Sequence, residues 1–159
     1  MGYYEPEPVP NRPHMHPSFP VGLAAGIIAI FAHLILLLIN HGTNEGDLLM
    51  LLLIQPLIYF FGGQSAAERQ YQYNINDQQI ELTEHVRGAG TGAAIVASLI
   101  VWVFIILRGV FRDAFGITIM VNPLELFFAI LIDVLVAMGL GTLAGRNVAK
   151  KYEGYQNPY

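Results

Sequence analysis

Four long apolar runs alternate with polar stretches along the chain, and runs of this length predict membrane-crossing helices. The first, PVGLAAGIIAIFAHLILLLIN, covers 20–40. The second opens with DLLMLLLIQPLIYFFGG at Asp47 and must borrow residues as far as Ala67 to reach crossing length. The third covers about 91–111 and the fourth about 123–144. At 1.5 Å per residue, a run of about 20 residues matches a hydrocarbon layer of ~30 Å. The expected fold is therefore all-α integral membrane, a four-helix transmembrane bundle with short outer loops.

Polar residues mark the helix starts. In NPLE, Asn122 is placed as N-cap, Pro123 at the first helical position and Glu125 where a capping box needs it. In NEGD, Asn44 caps the second run and Asp47 sits in its first turn, favoured by the helix dipole. NDQQ at Asn76 predicts a juxtamembrane helix within the middle loop, 68–90, that runs to about Arg87 and breaks at GAGTG. AFGITIMV (114–121) is apolar but falls between runs, and is expected at the outer surface.

The membrane domain spans 20–146 on this reading. It is flanked by a flexible, proline-rich tail (1–19) and a second tail (147–159). The first tail is acidic and carries a single arginine, which is unlike a secretory signal. Both tails are rich in Tyr and Pro, a composition suited to docking along partners. Lysine and arginine set the orientation. With four crossings, Arg12, Arg69, Arg87, Arg146, Lys150 and Lys151 fall on one side, and only Arg108 and Arg112 on the other. Both termini are thus expected in the cytoplasm. A re-entrant second run would give a weaker charge bias, so four crossings are preferred.

Composition narrows the function classes. Hydrophobic residues make up 54% and charged residues 13% of the chain, and the mean hydropathy is +0.48. A net charge of -4 argues against a nucleic-acid partner. There are no cysteines, which removes disulfides, thiolate metal sites and a cysteine nucleophile. No nucleotide-binding loop, serine elbow or HExxH motif occurs, and Asp133 is the only aspartate in the interior of the apolar runs. An enzyme is not expected.

Association of helices in lipid relies on close backbone approach and interhelical hydrogen bonds. Glycines at four-residue spacing mark candidate packing faces: Gly22 and Gly26, Gly88 and Gly92, Gly141 and Gly145. GGQSAAER (62–69) and GLGTLAGR (139–146) share four matched positions at one offset, a faint sign of two duplicated hairpins.

The candidate chemistry centres on Asp133, in the middle of FFAILIDVLVAMGLG. Counting residues from the outer ends puts His33, Gln55 and Asp133 at one depth, ~10–15 Å down. They form a candidate intramembrane polar layer. Pro56 also deprives the Leu52 carbonyl of its helical donor. Three readings of the layer stand open: internal glue between helices, a partner-facing carboxylate, or a proton or ion path. One His, one carboxylate and one amide are too few ligands for a metal, so no metal or cofactor is expected. The expected role is a non-catalytic accessory or assembly subunit, with a small oligomeric transporter or channel using Asp133 as the alternative. The expected partners are the lipid bilayer and other membrane subunits or further copies of the chain. The expected location is the cell membrane, plasma or inner.

Overall fold

The computed structural model describes residues 16–39, 50–76, 82–114 and 122–156. The proline-rich start, the caps expected at Asn44 and Asp47, and the segment 115–121 lie outside the described residues. Four α-helices are described: α1 (Ser18–Ile39), α2 (Gln55–Asn76), α3 (Leu82–Ala114) and α4 (Pro123–Gln156). A π-helical turn, Met50–Ile54, runs directly into α2. No strand occurs among the described residues. Three stretches are long and apolar enough to cross a membrane: Ser18–Ile39, Glu84–Val110 and Pro123–Tyr152. α2 lies alongside them, apolar near Leu57 and polar beyond Gln64.

Contacts fix the helix directions. α1 and α3 run together, because Gly22 meets Ala93 and Val96, Gly26 meets Ile100, and His33 meets Arg108. α2 and α4 run together in the opposite sense, because Gln55 meets Asp133, Gly63 meets Gly141, and Tyr71 stacks on Tyr152. α1 and α4 make no contact among the described residues, whereas α2 and α3 each touch every other helix. In cross-section the helices form a rhombus with α2 and α3 on its short diagonal.

The size pattern is inverted relative to a water-soluble domain. The interior is filled by alanine: Ala29, Ala66, Ala67, Ala89, Ala93, Ala97, Ala137 and Ala144 are fully buried. Many of the large apolar side chains point outward, with Phe31 62% and Leu38 77% exposed. In lipid an exposed Leu loses nothing, so small residues take the interfaces, where they let backbones approach.

Three helices, α2, α3 and α4, close in on a glycine junction. A Cβ added at Gly90 would stand 2.6 Å from the Gly141 carbonyl oxygen and 3.1 Å from that of Gly63. Beside it, the Thr91 and Thr142 hydroxyls share a hydrogen bond of 2.9 Å across α3 and α4. These contacts correct the expected break at GAGTG. α3 runs unbroken from Leu82 to Ala114, so 82–87 of the expected juxtamembrane helix are its first turns; Asn76 belongs to α2, and 77–81 lie outside the described residues. The three glycines of GAGTG cost the helix ~1 kcal/mol each, and close helix packing at Gly90 and Gly92 offsets part of that.

α4 likewise continues past the expected end at Ala144 to Gln156. Val148 and Ala149 are buried there against Ala67, Tyr71 and Val86, and the Tyr71 and Tyr152 rings stack 3.7 Å apart. Residues 147–156 are therefore helical, and as far as Tyr152 they pack against α2 and α3 instead of trailing as a tail. At the start of α4, Asn122 is the N-cap, its Oδ1 accepting the Leu124 N–H at 3.0 Å.

Candidate functional site

The site is built at the head of α2, where Pro56 constrains the backbone. A proline ring collides with the carbonyl four residues back and offers it no donor. The chain widens into the π turn Met50–Ile54 at this point and enters α-helical geometry at Gln55. Gln55 is thereby placed at the junction, 2% exposed, with its amide turned into the bundle. Tyr59 lies one turn further along the same face and is fully buried.

α3 supplies a second pair at the same spacing, Ser98 and Trp102, both buried. These two pairs converge on Asp133 of α4, which is 7% exposed. Ser98 Oγ donates to Asp133 Oδ2 at 2.7 Å, Tyr59 OH at 2.7 Å and Trp102 Nε1 at 2.9 Å. Gln55 Nε2 spans both carboxylate oxygens at 3.1 Å each and also donates to the Tyr59 hydroxyl. Every one of these groups acts as a donor toward the carboxylate. The Trp102 indole N–H can only donate, and Asp133 is its acceptor. The Asp133 side chain is met by N–H and O–H groups from two other helices, with no cation among its described partners.

Sequence reasoning brings Gln55 and Asp133 together, and the structure places them in hydrogen-bond contact. It also assigns His33 to their layer, and there the structure differs. His33 is buried but pairs with Arg108 across α1 and α3, Nη1 to Nε2 at 2.8 Å, and sits edge-on to Phe104. Arginine has donors only, so His33 Nε2 is the acceptor and the ring proton is on Nδ1. The register explains this: α1 and α3 run together, which carries His33 to the level of Arg108 instead of Ser98.

Tyr59, Ser98 and Trp102 join the site only through the fold. The available signal was their spacing, since Gln55 with Tyr59 and Ser98 with Trp102 are each separated by one helical turn. Among the packing glycines, Gly22 and Gly26 seat α1 on α3, and Gly141 and Gly145 seat α4 on α3. Gly92 faces the Ser18 side chain of α1, while a Cβ at Gly88 would meet nothing within 4 Å. Gly88 is thus removed from the packing set, and Gly90 takes its place. No group of three or more metal-ligating side chains occurs among the described residues. No family model, curated protein or solved structure matches the chain.

Proposed function

We propose that the chain is a four-crossing membrane protein with both termini in the cytoplasm, acting as a non-catalytic accessory or assembly subunit of a cell-membrane complex. The observation that carries this reading is the direction of Asp133. Its carboxylate is turned into its own bundle and engaged by four side chains of its own chain. A polar interior spent on its own helices works as a lock. Outer faces are then what the protein offers to others. The tight antiparallel pairing of α2 with α1 and α3 supports a fourth crossing. The cluster of Arg69, Arg87, Arg146, Lys150 and Lys151 at one end supports the cytoplasmic assignment of that end.

The test is the native mass of the protein after gentle extraction from its own membrane, with its companions identified. Co-extraction with other chains in fixed ratio is the expected result. A lone chain or a homo-oligomer overturns the accessory role.

One observation favours a second reading, transport of a proton or ion past Asp133. The π turn places a locally deformable backbone beside the carboxylate, and such turns recur at functional sites. On that reading Asp133→Asn abolishes flux in vesicles while the protein still folds. Unchanged flux in that variant removes it.

A further inference from the structure

A groove of about 430 Å³ opens between α1 and α2 on the side of the bundle away from α4. We propose that it binds one acyl chain of an anionic phospholipid, whose phosphate is received by Arg69. The groove exists because small residues form its floor: a Cβ at Gly62 would stand 3.0 Å from the Ala25 Cβ, so the two helices nearly touch there. Larger side chains rise on either side, Ile28 from α1 and Leu57 and Phe61 from α2. All three are exposed in the protein alone. The lining is apolar along its length and turns polar only at one end, at Ser65 and Arg69.

Its dimensions match one leaflet. From Ile54 at the inner end to Ser65 is eleven helical residues, ~16 Å, against ~15 Å for half of a ~30 Å hydrocarbon layer. Arg69 lies one turn beyond, at the depth of phosphates. It is exposed, and no ion pair to it occurs among the described residues. Its neighbour Glu68 accepts from Gln64 Nε2 at 3.4 Å, and no carboxylate lines the groove. A guanidinium at this position matches a phosphate geometrically and by charge. An anionic headgroup is favoured over a zwitterionic one because it brings no cation of its own to compete.

The proposal rests on α1 and α2 lying in the bilayer and is independent of the accessory role. The full chain is reconstituted in nanodiscs holding phosphatidylglycerol and phosphatidylcholine with the same acyl chains, then released for native mass spectrometry. Wild type is expected to retain phosphatidylglycerol in preference. Arg69→Gln lowers that retention about fivefold, the factor that ~1 kcal/mol per basic residue at an anionic surface corresponds to. Arg69→Lys restores most of it. Ala24→Phe, which fills the exposed floor of the groove from α1, removes retention of both lipids. Equal retention of the two lipids overturns the proposal, as does an Arg69→Gln variant that binds like wild type. A dimer that Ala24→Phe converts to monomer also overturns it, since a second copy would then occupy the groove. Release of the chain from membranes by alkaline carbonate would instead sink the membrane placement itself.

Discussion

A carboxylate at the centre of a bilayer costs about 2.5–3.5 kcal/mol on insertion scales. Interhelical hydrogen bonds in membranes average ~0.6 kcal/mol each. Four donors around Asp133 therefore return roughly 2.4 kcal/mol, close to break-even. The cage does not make the bundle strongly stable; it makes one arrangement of α2, α3 and α4 better than its neighbours in register. The insertion cost is shared by associated and separated helices, so the donors dominate when the bundle comes apart. Asp133→Ala is accordingly expected to lower stability by about 2–3 kcal/mol, and Ser98→Ala by about 0.6–1.7 kcal/mol. Asp133→Asn falls between, because its amide oxygen still accepts and the Gln55 amide can turn over. Reversible unfolding in bicelles or mixed micelles measures all three. Equal losses for Asp133→Ala and Ser98→Ala would mean that the carboxylate does not organise the cage. Gln55 and Asp133 were legible in the sequence as polar letters in apolar runs. Tyr59 and Trp102 were not, because each is mostly ring, and its one polar atom matters only when an acceptor is near.

At the scale of the helix, glycine spacing carries less information than glycine direction. Residues two apart on a helix point about 200° from each other. Gly88 and Gly92 share one side of α3, and Gly90 lies on the other, where α2 and α4 close in. On α3 the four-residue rule marks the first pair and passes over the glycine in that helix's tightest contact. Gly90→Ala forces a methyl onto the Gly141 carbonyl and is expected to cost about 1–3 kcal/mol, as overpacking does. Gly88→Ala meets open space and should be neutral or stabilising by up to ~1 kcal/mol through helix propensity. The same unfolding assay compares them, and a harmless Gly90→Ala would refute the junction. The unbroken course of α3 through GAGTG was hidden for a related reason. Local propensity argues for a break, and contacts from residues some fifty positions away decide otherwise.

For the whole molecule, number and order of helices were readable from the apolar runs, while their partners and their full lengths were not. Hydropathy falls off near Ala144, yet α2, α3 and α4 go on together beyond that level, held by Val86, Val148 and the Tyr71–Tyr152 stack. Arg69, Arg87, Arg146, Lys150 and Lys151 gather at this extended end, and Arg108 lies at the opposite one. The chain has no cysteine, so introduced thiols can be read without background. On intact cells, an impermeant maleimide should label Leu124→Cys but reach Lys150→Cys only after permeabilisation; both positions are exposed and lie at opposite ends of α4. The reverse pattern would invert the assigned orientation.

Trp102 is the only tryptophan in the chain, and it is a member of the cage. The indole fluorescence of this protein therefore originates at a single spot, in the interior of the helix bundle. Excited beyond the tyrosine band, the native chain is its own optical probe. Its emission colour follows the polarity and hydrogen bonding around one carboxylate, so loosening of that lock becomes visible in real time, in any lipid, without a label.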